Sequence, residues 1–452
     1  MAGCSGARVR MSRASRRVLP ELVEEGVVVA LNHDGDGVIR DSKTVFVAGA
    51  LEGERVRFQR TARHRQHDEA QLLEVLEASP SRVVPRCAHF GLCGGCALQH
   101  LAPAAQLVSK QRELADTLAR IGKVTPREWL APIEGPIWGY RRRARLGAKF
   151  VAKRGRVLVG FRERRKPYVA ALERCEILAS PVDALITPLA ELLTGLEARQ
   201  AIPQIEVAVG ESVTVLVFRV LEDLSVADRA ALAAFEAERG LRVYLQRGGA
   251  DTVQPLQGER ACLHYTLPAE GLRFEFLPTD FVQINAEVNR ALVAHAVAQL
   301  QVEPQHRVLD LFCGLGNFTL PLARRAREVV GVEGDAALVE RARHNAALNQ
   351  LGNVSFKTAN LFDTSIAATV LGGPFDRVLL DPPRAGALEV LPTLAALAPR
   401  RMVYVSCHPG TLARDLDVLC HQHGFQLAAA GVIDMFPHTN HVESIAVLER
   451  SR

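Results

Sequence analysis

Apolar and polar positions follow three different rhythms along this 452-residue chain. Between residues 19 and 78, short apolar runs fall at Val27–Leu31, Val38–Ile39 and Val45–Val47, with the pairs Asp34-Gly35 and Asp36-Gly37 between the first two. Asp-Gly favours the positive φ of a tight hairpin turn, so this region is expected to be a small antiparallel β-barrel. Residues 79–269 mix strand-like and helix-like stretches. Within them Leu107, Leu114, Leu118 and Ile121 recur at helical spacing, which predicts a helix between Gln99 and Ile121 able to pack on either neighbouring domain. From residue 270 to 452 saturated apolar segments ("RVLDLFC", "EVVGVEG", "RVLLDPP", "MVYVSC") alternate with helical stretches, the pattern of a doubly wound parallel sheet. The expected fold class is multidomain α/β: an N-terminal barrel, a central α+β domain and a C-terminal Rossmann-like domain.

Composition narrows this only in places. A chain of this length exceeds one hydrophobic core, and 48% hydrophobic with 23% charged residues is ordinary for a globular protein. Arg8, Arg10, Arg13, Arg16 and Arg17 precede any acid and no apolar core accompanies them, so residues 1–18 read as a disordered basic arm, with a transit peptide as the alternative. The absence of an apolar run of membrane-spanning length argues against a membrane partner. Nine cysteines without an export signal point to a reducing, cytoplasmic setting in which they serve as ligands, nucleophiles or core residues. A monomer is expected.

The net charge of +5 says little, but its distribution says more. From Tyr140 to Lys166 the chain is crowded with bases, from Arg141, Arg142 and Arg143 to Arg164, Arg165 and Lys166, and Glu163 is the sole acid. Such density is expected of a surface that contacts phosphates. The interleaved Tyr140, Phe150 and Phe161 could stack on bases or pack in the core.

Three clusters carry candidate chemistry. "VLDLFCGLGNFTLPLA" is a strand, a glycine turn at Gly314 and Gly316, and a helix. A second strand ends at Glu333, whose carboxylate can accept both hydrogen bonds of a ribose diol. With "DPPR" at Asp381–Arg384, this set points to S-adenosylmethionine. Cys407 in "VYVSCHP" follows an apolar strand on the same carboxyl-terminal edge as the glycine turn, which makes it the candidate nucleophile, and Glu443 in "PHTNHVES" the candidate base. His438 and His441 are expected only to shape the loop around it. Cys87, Cys93 and Cys96 form a C-x5-C-x2-C run, and Cys175 in "ERCEIL" is the candidate fourth thiolate. Zinc and an iron–sulfur cluster both fit four thiolates, and the wide first spacing tilts toward iron–sulfur. Cys4, Cys262, Cys313 and Cys420 read as structural or incidental.

These motifs together resemble the RNA uracil-5-methyltransferases along nearly the whole chain. The N-terminal segment is similar to a TRAM domain, an oligonucleotide-binding barrel. "PRCAHFGLCGGCALQH" resembles the family's [4Fe–4S] segment, which implies Cys87, Cys93, Cys96 and Cys175 as ligands. "DFVQIN", "LFCGLGNF" and "DPPRAG" resemble its cofactor segments, which implies that Gln283, Phe312, Asn317, Glu333, Asn360 and Asp381 contact S-adenosylmethionine. "SCHPGTLARDL" is similar to the nucleophile motif, with His408 where asparagine is usual, and "MFPHTNHVES" to the terminal motif with the base. The resemblance implies methyl transfer to carbon 5 of a uracil. Carriage of both the TRAM and the iron–sulfur segments implies the branch that acts on 23S ribosomal RNA. Other readings stay open: the same chemistry on another ribosomal or transfer RNA, an amino-group methyltransferase that needs no cysteine, and a non-catalytic iron–sulfur RNA-binding protein.

Overall fold

The computed structural model describes residues 22–364, 371 and 373–450; the basic arm expected over residues 1–18, and Cys4, lie outside them. The chain forms two compact units, Met1–Arg82 and Val83–Arg452.

The first unit is one six-stranded sheet. Its strands run in the order Val23–Val27, Arg55–Arg63, His67–Glu77, Thr44–Ala48, Asp36–Arg40 and Ala30–Leu31. The Asp-Gly turn forms where the sequence places it. Asn32 Oδ1 accepts the N–H groups of Asp34 and Asp36, both at 2.9 Å, and Gly35 takes a φ of 75°. The sheet is not wholly antiparallel as expected, because Thr44–Ala48 pairs in parallel with His67–Gln71. Arg55–Arg63 lies on the other side of that long strand and reverses the chain before it returns. Val28, Val45, Val47, Val56 and Phe58 fill the unit's own core.

The second unit contains a six-stranded sheet and an eight-stranded one. The six-stranded sheet includes the hairpin Arg143–Val151 and Arg156–Gly160. The eight-stranded sheet runs Val354–Thr358, Glu328–Glu333, Arg307–Leu311, Arg377–Leu380, Arg401–Ser406, Glu443–Arg450, Phe425–Ile433 and Glu128–Trp129. Its first five strands are parallel, and the four after the edge strand Val354–Thr358 are saturated apolar runs because both faces are covered. The sheet is mixed rather than parallel throughout: Glu443–Arg450 enters antiparallel between Arg401–Ser406 and Phe425–Ile433.

The helix Pro103–Thr117 packs on this sheet. Leu107, Leu114 and Leu118 join the core of Leu309, Val330 and Leu412. Ile121, expected on the same face, is half exposed, because the wider π-turn Leu118–Gly122 shifts the helical register. Among the described residues, no helix is long and apolar enough to cross a membrane.

Candidate active site

Successive parallel strands deliver their carboxyl ends to one edge of the eight-stranded sheet. In spatial order these ends present Glu333, Phe312, Asp381 and Cys407. Three inter-strand steps of about 4.8 Å separate the strand of Glu333 from that of Cys407, a span of roughly 14 Å. After Leu311 the chain turns sharply. Phe312 adopts a left-handed φ of 61°, unusual for a residue with a β-carbon, and Gly314 and Gly316 take 54° and 98°.

Glu333 is held by that backbone. One carboxylate oxygen accepts from Gly314 N–H (3.1 Å), and the other from the N–H groups of Gly334 (2.7 Å) and Asp335 (3.0 Å). Asn317 is held by side chains. It exchanges hydrogen bonds with the Asn289 amide (2.9 and 3.1 Å), and its oxygen also accepts from Tyr265 O–H (2.9 Å). Asn289 and Tyr265 had no sequence signal, since neither belongs to a motif near the glycine turn.

A cavity of about 620 Å³ opens along this edge. Its walls include all six residues singled out for S-adenosylmethionine, namely Gln283, Phe312, Asn317, Glu333, Asn360 and Asp381, together with Cys407 and Glu443. Phe362 also lines it, with its ring centroid 5.9 Å from that of Phe312. Cys313, read from sequence as structural or incidental, reaches the wall as well, although its side chain is buried in the turn.

The antiparallel strand decides the geometry of the candidate nucleophile and base. Ser406 pairs with Ser444, so the next position of each strand sets Cys407 against Glu443. Glu443 is buried, and its Oε2 has no hydrogen-bond partner among the described residues. Burial, then the nearby Asp381 charge, push its carboxyl up to about 8, while Lys110 opposes the rise. Asp381 is pushed up to about 7, by burial and then by Glu333. The Cys407 thiol is also raised, by burial first and then by Glu443 and Asp381, with Arg384 acting the other way. The cavity therefore concentrates carboxyl groups with little countercharge, an environment that favours a bound cation.

His408 caps the helix Pro409–Gln422, its Nδ1 accepting from Thr411 N–H at 3.2 Å. An asparagine here could make the same bond. His441 and His438 divide the loop between them. His441 lines the cavity and meets Arg384 Nη2 at 2.8 Å. His438 is buried away from it, stacked on Trp138 with centroids 4.0 Å apart. Lys110, buried in the helix Pro103–Thr117, donates to Asp434 Oδ1 (2.7 Å) and to the Phe436 carbonyl (3.0 Å).

Cys87, Cys93, Cys96 and Cys175 surround a second, small hollow. Burial, with smaller contributions from the neighbouring sulfurs, pushes Cys93 up to about 11 and Cys96 up to about 12, and raises Cys175. Such thiols ionise only against a compensating cation. Among the described residues, no three of these sulfurs lie within 4.8 Å of one another.

The basic stretch is only partly a surface. Arg143 donates to the Pro278 carbonyl, and Arg141 Nε donates to the Arg143 carbonyl at 2.9 Å. Tyr140 is buried, and Phe150 and Phe161 pack against the core. Exposed bases begin at Arg145 and recur at Lys149, Lys153, Arg154, Arg156, Arg162, Arg165 and Lys166. The exposed aromatic beside them is Tyr168, which the sequence reading missed.

Comparison with known proteins agrees with this arrangement. Residues 105–451 match the family described as tRNA (Uracil-5-)-methyltransferase. A protein of Alkalilimnicola ehrlichii named 23S rRNA (uracil(1939)-C(5))-methyltransferase RlmD is 53% identical over 96% of this chain and 98% of its own. Proteins of the same name from Bordetella parapertussis and Stenotrophomonas maltophilia are 53% and 51% identical, over 91% and 94% of this chain and 89% and 96% of theirs. Among solved structures, the Pyrococcus abyssi tRNA (uracil-54, C5)-methyltransferase in complex with S-adenosyl-L-homocysteine shares the fold. It has a TM-score of 0.73 at 24% identity, covering 94% of this chain and all of that one.

Proposed function

The chain belongs to the tRNA (uracil-5-)-methyltransferase family, and on that premise we propose that it transfers the methyl group of S-adenosylmethionine to carbon 5 of a uracil in 23S ribosomal RNA, the position its relatives' names number 1939. The observation that carries this reading is the register of Cys407 against Glu443, on adjacent strands that open into the cavity shared with Glu333 and Asp381.

Carbon 5 of uracil is a poor nucleophile until the ring is activated. The Cys407 thiolate adds to carbon 6, which pushes electron density onto carbon 5 as an enolate. Carbon 5 then attacks the sulfonium methyl group. A carbon–carbon bond forms, the sulfur–methyl bond breaks, and S-adenosylhomocysteine leaves. Glu443 takes the proton from carbon 5, and the sulfur–carbon 6 bond breaks to restore the thiolate and release 5-methyluridine.

S-adenosylmethionine fits along the strand edge with its ribose toward Glu333 and its sulfonium toward Asp381. The positive sulfonium also favours the ionised form of Glu443, which burial otherwise holds protonated near neutrality. The flat rings of Phe312 and Phe362 suit the adenine. A target base must leave its stack to reach Cys407, which favours loops and junctions over regular duplex.

Cys87, Cys93, Cys96 and Cys175 are the residues that would hold a [4Fe–4S] cluster. Four thiolates fit zinc as well as a cluster, and the wide C-x5-C spacing of Cys87 and Cys93 favours the cluster. A bound cluster would turn the four thiols into anionic ligands and cross-link distant chain segments. In the same reading, the N-terminal sheet and the exposed bases from Arg145 to Lys166 bind RNA phosphates.

The test is methyl transfer from labelled S-adenosylmethionine to unmodified 23S RNA and transfer RNA, with the product base identified by mass spectrometry. 5-Methyluridine confined to 23S RNA, with tritium released from carbon-5-labelled uridine, is expected. Label without tritium release would favour amino-group methylation. No label in any RNA would favour a non-catalytic RNA-binding protein.

A further inference from the structure

The loop that leads into Glu443 is fastened to the cysteine-rich segment as well as to its own strands and to Lys110. The Ala97 and Leu98 N–H groups, immediately after Cys96, both donate to the His438 carbonyl, at 2.9 and 3.0 Å. Gln106 completes the fastening. Its Oε1 accepts from His438 N–H (2.8 Å), and its Nε2 meets His438 Nδ1 (3.2 Å) and the carbonyls of Leu98 (3.0 Å) and Leu101 (2.8 Å). A second tie runs through Tyr140, which packs in the same core cluster as Cys175 and Cys96 and donates its O–H to the Pro437 carbonyl at 3.0 Å. A third runs through Trp138, stacked on the His438 ring and covered by Arg86, the residue before Cys87.

His438 holds a left-handed φ of 65°. A non-glycine residue seldom keeps that conformation, and here Ala97 and Leu98, just after the cysteine run, hold it together with Gln106 and Trp138.

We propose that His438 is a positioning residue through which the four-thiolate centre sets the placement of Glu443 for proton removal. This rests on the reading of Glu443 as the base. The Cys93–Cys96 turn, glycine at both intervening positions, is tied to the protein at its Cys93 end, where Cys93 N–H donates to the His89 carbonyl (3.0 Å) and Gly94 N–H to the Arg162 carbonyl (2.9 Å), and the filled centre fixes its Cys96 end, which leads into Ala97 and Leu98. With the centre filled, the Ala97 and Leu98 N–H groups are fixed, His438 is clamped, and the loop to Glu443 is held. With the centre empty, the turn relaxes, the clamp opens, and Glu443 loses alignment while the cofactor end of the cavity stays formed.

The experiment is hydrogen–deuterium exchange on the full chain, reconstituted with iron and sulfide and then stripped with ferricyanide and EDTA. Exchange across residues 434–443 should rise on stripping, while residues 310–317 at the cofactor turn stay protected and S-adenosylhomocysteine affinity is unchanged. In the loaded protein, His438→Ala should reproduce the rise at 434–443 and lower kcat by about 100-fold with KM for RNA unchanged, the scale of a misplacement near 1 Å. His438→Asn tolerates positive φ and retains a polar group for Gln106, so it should recover most of that loss. Stripping that changes exchange around the cysteines but leaves 434–443 protected would overturn the proposal. So would an unchanged kcat in a folded His438→Ala protein. If no RNA is methylated by any form, the assignment of Glu443 as base fails, while the exchange result still decides whether the centre holds the loop.

Discussion

Cys407 and Glu443 face each other with too little positive charge between them, and that shortage makes their roles measurable. Replacing Cys407 with Ala is expected to abolish turnover while S-adenosylmethionine binding, read by calorimetry, survives. Glu443→Gln should leave nucleophilic addition and methyl transfer possible but block proton removal, so a covalent protein–RNA adduct should build up and be visible on a denaturing gel. Full turnover by the alanine variant would sink the mechanism. Both groups act in their deprotonated forms and both are raised above their ordinary values, so kcat/KM should climb as pH rises through about 8, where Glu443 ionises, and go on climbing at higher pH as the Cys407 thiol ionises. Glu443 is one of the charges that raise the Cys407 thiol, so Glu443→Gln should move alkylation of Cys407 to lower pH. A rate flat from acid to alkaline pH, or an alkylation midpoint that does not move, would contradict this account.

At the scale of elements, the decisive feature is how the helix Pro409–Gln422 begins. His408 closes its first turn with a ring nitrogen where the family motif usually has an asparagine amide. Asparagine is a strong N-cap and alanine a poor one. His408→Asn should therefore hold activity near that of the unmodified chain, and His408→Ala should cost about 1 kcal/mol of stability in denaturant unfolding. A large loss of activity in the folded asparagine variant would mean that the imidazole touches the RNA or the cofactor rather than the helix. The strand Glu443–Arg450 is the other element that matters. Its antiparallel entry places its first residue, not its last, at the carboxyl edge where the parallel strands end.

For the molecule as a whole, the two compact units divide the tasks of the proposed reaction. The first has a core of its own, and every residue lining the cavity belongs to the second. Removal of residues 1–82 is expected to leave S-adenosylmethionine affinity unchanged. It should weaken RNA binding and flatten its dependence on salt, since fewer phosphates would be neutralised. Unaltered RNA affinity and salt slope in the shortened protein would remove the first unit from the RNA-binding surface.

Much of the candidate site was legible in the chain because it is written locally. A saturated apolar strand, a turn that needs positive φ at Gly314 and Gly316, and a carboxylate at the end of the next strand are set by backbone preference and periodicity over a few residues. The same holds for the Asp-Gly hairpin, the four apolar parallel strands and the spacing of Cys87, Cys93 and Cys96. What the tertiary structure alone decided depends on which distant segments share a wall. Asn317 is oriented by Asn289 and Tyr265, Lys110 is buried against Asp434, and Arg141 and Arg143 serve their own fold although they sit in a run that reads as RNA-binding. Glu443 reaches Cys407 only because a strand inserts against the direction of its neighbours. Burial and cross-strand register come from the order of strands in the sheet, and no period along the chain encodes that order.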